Sequence, residues 1–243
     1  MTARKIIVVD YHKGNLSSVA RGLVRAGATA EISDDPAEIR NAAGVVLPGV
    51  GAFYDAIAFM HESGQDAAVL HAIAHGAPFL GICLGLQLLF ERGDEGVPAS
   101  GVDLCGTPSA RGTGLAPGDV FEVEGVRWVR GLGVLSGSCT RLDGSRLKVP
   151  HVGWDQVHLT DAGKASPLLT GFPEGTNMYF THSYAACDAD PSDLLAVTHY
   201  TRSFPAVVGR ERVFGCQFHP EKSSARGLDV LRNFAQIVEE AGA

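Results

Sequence analysis

From Lys5 to Phe90 the chain alternates strand-length apolar runs with helical patterns, and that alternation leaves few architectures open. KIIVVD (5–10), a short run near Ala30 to Ser33, and GVVLPG (44–49) are apolar stretches of strand length, the form taken by parallel strands buried on both faces. Helical patterns separate them. In the first, Asn15 stands at the N-cap, Val19, Leu23 and Ala26 keep helical spacing, and Gly27 occupies the position of a C-terminal glycine. DPAEIRNA, AFYDAIAFMHES and AAVLHAIAH continue the series. The succession implies an α/β fold with a mainly parallel central sheet flanked by helices.

After Glu91 the character changes. Residues 93–149 are rich in Gly, Ser and Pro, and ARGTGLAPGDV (110–120) echoes VRGLGVLSGSC (129–139) at an offset of 19. The echo reads either as a duplicated hairpin or as chance similarity in glycine-rich sequence, and it is too short for a solenoid. MYFTHSYAA, LLAVTHY, PAVVGRE and VFGCQFH read as strands, several joined by hairpin-type turns, so antiparallel strands are expected toward the C-terminal half. GLDVLRNFAQIVEE sets Leu228, Leu231, Phe234 and Val238 on one stripe of a docked terminal helix. With 243 residues and 45% apolar content the chain can bury one sizeable core, and a single domain over 1–243 is expected.

Charge and cysteine usage exclude several function classes. The net charge is −7 with no dense Lys/Arg run, so no nucleic-acid footprint and no anionic membrane surface is expected, whereas a small metabolite or a basic partner fits. The five cysteines are odd in number, scattered, and contain no C-x-x-C pair, which speaks against a disulfide scaffold or a zinc site. No apolar run approaches the roughly 20 residues of a membrane span, and MTARKIIVVDY enters a strand pattern directly. A reducing cytoplasm is the expected compartment.

The stretch PFLGICLGLQLLF (78–90) carries the chemistry. Cys83 stands between Gly81 and Gly85 where a strand-like run turns into a helical one, the spacing of a nucleophile elbow. A helix over LGLQLLFE would direct its N-terminal N–H groups at the thiol and favour the thiolate. The bland alternative is a small buried hydrophobe packed by glycines. In GCQFHPEKS, His219 and Glu221 stand two apart. If extended there, both side chains share a face, and Pro220 disfavours helix at His219. Glu221 would then fix the tautomer of an imidazole base, although a solvated loop pair reads the same way in isolation. LPGVGAF (47–53) follows a strand and offers backbone N–H groups from Gly49, Val50 and Gly51 to an oxyanion, with the Leu84 N–H as second donor, or else it is a plain turn.

Together these three fragments resemble the class I, or triad, glutamine amidotransferases: GICLGLQLLF their elbow, QFHPE their His/Glu segment, LPGVG their oxyanion loop. A finer resemblance, to the glutaminase subunits of imidazole glycerol phosphate synthase in histidine biosynthesis, rests on four further segments. These are Tyr11, Gly14, Asn15 and Ser18; KVPHVGW (148–154); YFTHSY (179–184); and QFHPEKS followed by Gly227, Leu228, Leu231, Asn233 and Phe234. The resemblance implies that Cys83 attacks the glutamine carboxamide and that His219 and Glu221 complete the triad. It implies contacts to glutamine from Gly51, Gln87, Ser183 and Tyr184, and no metal or organic cofactor. It further implies a heterodimer with a (β/α)₈-barrel cyclase subunit, faced by Asn15, His151, Trp154 and Lys222, to which ammonia passes for the formation of imidazole glycerol phosphate and AICAR.

Two departures stand out. HVGWD replaces the usual HMGWN of the resembling subfamily, placing Val152 and Asp155 in a segment expected at the partner surface. A surface segment at about 97–125 also looks inserted, since that subfamily passes from elbow to KVPH by a shorter link. Other ammonia donors of the same fold (pyridoxal phosphate or anthranilate type) do not account for KVPHVGW and YFTHSY. An inert regulatory relative sits poorly with an intact Cys83, His219 and Glu221, and a thiol peptidase or redox protein leaves LPGVG and Gln87 without a role.

Overall fold

The alternating runs become β1 (Lys5–Val9), α1 (Leu16–Arg25), β2 (Thr29–Ser33), α2 (Pro36–Arg40), β3 (Gly44–Gly49), α3 (Phe53–Ser63), α4 (Gln65–Ala74), β4 (Phe79–Cys83) and α5 (Leu84–Leu88). There follow β5 (Phe90–Gly93), β6 (Val120–Val123), β7 (Val126–Arg130), β8 (Leu135–Arg141), β9 (His151–Leu159), α6 (Asp161–Ala165), β10 (Thr176–His182), β11 (Tyr184–Cys187), β12 (Leu194–His199), β13 (Ser203–Arg210), β14 (Val213–Cys216) and α7 (Ser224–Glu240). The structure, a computed structural model, describes residues 4–100, 104–105 and 114–242.

Nine strands form one sheet in the order β10-β9-β12-β13-β14-β4-β3-β1-β2. From β14 to β2 the pairings are parallel, and from β14 outward to β10 they are antiparallel. The period of two along each strand explains the continuous apolar runs. Ile6 and Val8 of β1 face one side, where they pack with Val19 and Leu23 of α1 and Leu231, Phe234 and Val238 of α7. Ile7 and Val9 face the other, where they meet Phe53, Ile57 and Met60 of α3 and Val69 of α4. Asn15 occupies the N-cap position of α1 but makes no side-chain capping bond.

A second sheet, in the order β11-β8-β5-β7-β6, has no counterpart in the sequence reading. It shortens the elbow helix. A helix over LGLQLLFE would continue through Glu91, yet α5 stops at Leu88 and Phe90 opens β5. The carbonyls of Leu88, Leu89 and Phe90 are taken by the N–H groups of Leu132, Leu135 and Gly133, so the helix cannot propagate. The run MYFTHSYAA also splits at Ser183: β10 belongs to the large sheet and β11 to the small one.

The glycine-rich echo is no structural repeat where it is described, since 114–119 form turns and coil whereas their counterparts 133–138 run into β8. Residues 110–113 of that echo, and 101–103 and 106–113 of the expected insertion, lie outside the described residues. The described end of the insertion supplies β6.

Candidate active site

The parallel strands β3 and β4 end side by side, with Gly49 paired to Cys83, and β14 adjoins β4 on its other flank. This is the C-terminal edge, where open parallel sheets gather ligands. Cys83 sits at the corner with φ 55° and ψ −106°, a conformation that costs an L residue about 1–3 kcal/mol and persists only where its surroundings impose it. The flanking glycines impose it by contact. A Cβ at Gly81 would strike the Gly85 carbonyl, and one at Gly85 would strike the Leu47 carbonyl. Neither glycine has positive φ, so the strain resides in the cysteine and the glycines serve close approach.

His219 Nδ1 and Glu221 Oε1 lie 2.9 Å apart, with the two side chains only 4% and 2% exposed. The expected extended geometry holds at His219 (φ −98°, ψ 98°) but not at Glu221, which lies in a single 3₁₀ turn over Pro220–Lys222. Pro220 sets the φ of that turn, and the Lys222 N–H closes it on the His219 carbonyl. The backbone N–H of His219 donates to the Tyr179 carbonyl, fixing the histidine against β10. Its Nε2 is buried without a hydrogen bond to any described residue. Burial alone would lower the His219 pKa, but Cys83 and Glu221 on its two sides overturn this and push it up to about 9. That is the electrostatic signature of an imidazole poised to hold a thiol's proton.

A cavity of about 290 Å³ opens in front of Cys83, lined among others by Val50, Gly51, Leu84, Gln87, Glu95, Ser183 and Tyr184. Gln87 lies one helical turn beyond the thiol and is 3% exposed. Its amide donates to the Tyr184 carbonyl (2.8 Å) and to Gln217 Oε1 (3.0 Å), leaving its own oxygen as an acceptor. Gly51 has φ 108°, a left-handed conformation in the loop that follows β3. The Gly14 turn packs against that loop, its Cβ direction pointing at Gly49 Cα and the Val50 nitrogen. Leu84 begins α5, so its N–H has no intrahelical acceptor.

Two site residues escaped the sequence reading. Gln217 is fully buried and donates to Cys83 Sγ at 3.5 Å. Its signal was present, because it stands two residues before His219 in an extended run. Glu95 lines the cavity and accepts the Phe53 N–H at 3.2 Å. Burial raises its pKa to about 7, and nothing local in the sequence marks it.

The expected partner-facing residues divide. Trp154 and Val152 are 52% and 56% exposed. Trp154 meets the Tyr179 ring edge-on at 6.0 Å, and Lys222 Nζ lies 5.9 Å from the same ring. Asn15 is exposed. His151 corrects the expectation: it is 3% exposed and stacks on Tyr200. Alternation along β9 turns it inward while Val152 and Trp154 point out.

An elbow cysteine, a buried His–Glu pair and a cavity at a parallel sheet edge define a class of thiol-dependent amide-cleaving enzymes. The family model for glutamine amidotransferase class-I matches residues 7–238, and the chain belongs to that family. Solved structures share the fold: a glutamine amidotransferase (TM-score 0.64, 16% identity, covering 98% of this chain and 99% of that one), and PurLQS from Thermotoga maritima (TM-score 0.66, 15% identity, covering 97% and 99%). Within the class, the chain belongs with the proteins named imidazole glycerol phosphate synthase subunit HisH. It is 41% identical over 239 residues to that of Moorella thermoacetica, covering 98% of each chain. To that of Halalkalibacterium halodurans it is 42% identical over 234 residues, covering 96% of each.

Proposed function

We propose that this chain is the glutaminase subunit of an imidazole glycerol phosphate synthase, hydrolysing glutamine to glutamate and ammonia in histidine biosynthesis. The observation that carries it is the strained Cys83, with the buried His219–Glu221 pair behind it and the cavity in front. Glutamine enters with its carboxamide at the sulfur. Its ammonium group meets the Gln87 oxygen and the Glu95 carboxylate, and Ser183 and Tyr184 line the far wall. The Cys83 thiolate attacks the carboxamide carbon while the N–H groups of Val50 and Leu84 receive the oxyanion. A carboxamide nitrogen is a poor leaving group, so His219 hands it the proton taken from the thiol and ammonia departs. Water, deprotonated by His219, then cleaves the glutamyl thioester to glutamate and regenerates the thiol. Glu221 holds the imidazole with Nε2 toward the sulfur throughout.

The ammonia acceptor in this reading is a (β/α)₈-barrel cyclase subunit that forms imidazole glycerol phosphate and AICAR, in a cytoplasmic heterodimer. No helix among the described residues is long and apolar enough to cross a membrane. Trp154, Val152, Lys222 and Asn15 form the docking face. The segment at about 97–125 is an insertion within the single domain, and its described end reaches the core through β6, where Phe121 is fully buried. Glutamate release measured for the chain alone, with the barrel subunit, and with that subunit plus its nucleotide substrate should rise by orders of magnitude across the series. Full activity of the chain alone, unchanged by either addition, would point to a free-standing glutaminase.

A further inference from the structure

A chain of polar contacts, hydrogen-bonded from His151 inward, runs from Asp155 on β9 to the Cys83 sulfur. Asp155 Oδ2, on a side chain 34% exposed, lies 3.4 Å from His151 Nε2. His151 Nδ1 lies 3.1 Å from His182 Nε2, and His182 Nδ1 lies 2.8 Å from the Tyr184 carbonyl. That carbonyl also accepts from Gln87, whose amide reaches Gln217, whose amide in turn reaches Cys83 Sγ. Both histidines are at least nine-tenths buried, so their protons are set by their partners.

The direction of each bond follows from what each atom can do. A carbonyl only accepts, so His182 Nδ1 carries a proton. Burial, with His151 beside it, brings the His182 pKa down to about 3, so the ring is neutral and its Nε2 accepts. His151 Nδ1 must therefore donate. If His151 is also neutral, its Nε2 lone pair faces a carboxylate, two acceptors without a hydrogen between them, which fits the length of that contact. Protonating His151 completes the chain. An asparagine at 155 would complete it with His151 neutral, because its amide donates.

We propose that His151 and His182 are positioning residues that carry the hydrogen-bonding state of Asp155 through the Tyr184 carbonyl to Gln87 and Gln217, and so to the Cys83 thiolate. The inference rests on Cys83 being the nucleophile. The titratable groups facing His151 are Asp155 on its own strand, His182 on β10 and Tyr200 stacked above it; His182 additionally senses His219. Burial holds His151 below the ordinary imidazole value while Asp155 pulls it up. Protonation, and with it a complete relay, thus belongs to the acid side of neutrality.

Alkylation of Cys83 by iodoacetamide, read from the mass of the Cys83 peptide across pH on the full chain, tests this with neither glutamine nor a partner. The wild-type profile should show an inflection from His151 on the acid side, in addition to the Cys83–His219 ionisation. D155N removes the carboxylate and supplies an amide donor, so the inflection should move to lower pH. H182L cuts the relay, since leucine neither accepts from His151 nor donates to the Tyr184 carbonyl: the inflection should vanish and alkylation slow by about tenfold, the equivalent of one hydrogen bond to a charged group. A D155N profile superimposable on wild type overturns the relay, and it decides alone if H182L does not fold. A chain that reacts as proposed but never hydrolyses glutamine would instead sink the proposed function, so the two failures are distinguishable.

Discussion

At Cys83 the chain accepts backbone strain in order to present a sulfur, and the strain can be separated from the chemistry. Cys83→Ala should abolish glutaminase activity while leaving synthesis supported by ammonium salts, since ammonia bypasses the first half-reaction; an assay of both activities on the reconstituted synthase checks it. Cys83→Gly should be equally inactive yet more stable than Cys83→Ala by about 1 kcal/mol in urea unfolding, because glycine tolerates the positive φ. Glu221→Gln should reduce hydrolysis less than Cys83→Ala, since the amide oxygen can still accept from His219 while nothing replaces the sulfur. Glu95 adds a pH dependence. Its carboxyl, raised to about 7 by burial, is neutral below that pH and ionised above it. Only the ionised form attracts an ammonium group, so KM for glutamine should fall as pH rises through about 7. In Glu95→Gln that dependence should disappear, as a series of KM measurements would show.

The elbow as an element is built by close packing more than by helix electrostatics. Five residues of α5 give a weak macrodipole, and what remains useful is the free N–H of Leu84 at its start. The corner holds because β3, β4 and α5 approach until backbone touches backbone at Gly81 and Gly85. Gly85→Ala should therefore force the elbow off the Leu47 carbonyl, destabilise the protein by about 1–3 kcal/mol and remove activity, as denaturant midpoints and glutamate release would register. The Ser183 break between β10 and β11 works similarly. One apolar run serves two sheets, and the residues at the changeover line the cavity.

For the whole molecule, the geometry couples an exposed face to a buried centre. Trp154, Tyr179 and Lys222 form a surface cluster on β9, β10 and the turn that carries Glu221. Trp154→Ala should weaken association with the partner subunit by about 2 kcal/mol or more, the loss typical of an aromatic anchor at an interface centre, with little change in the fold. Titration calorimetry against that subunit gives the measurement, and an unchanged affinity would place the interface elsewhere. Two routes lead inward to the site: one passes from the Gly14 turn to the loop after β3, and the other follows the histidine relay from Asp155, on the side of β9 opposite Trp154.

Local sequence determined the parallel strands, the terminal helix, the elbow cysteine and the His219–Glu221 pair. Each depends on short-range rules: apolar period, turn residues, and a proline that sets one φ. The second sheet, the early stop of α5 and the inward turn of His151 were not legible, because each is decided by partners distant in the chain. The segment 132–135 captures the carbonyls of 88–90, and β9 packs His151 beneath Tyr200. Glu95 joins the cavity because its carboxylate accepts an N–H from Phe53, 42 residues earlier in the chain. Hydrogen-bond direction was likewise hidden: KVPHVGW and YFTHSY each contain a histidine, but only tertiary contact sets the two rings 3.1 Å apart and obliges one to donate to the other. Sequence fixes which groups a residue carries; folding fixes which of them must share a proton.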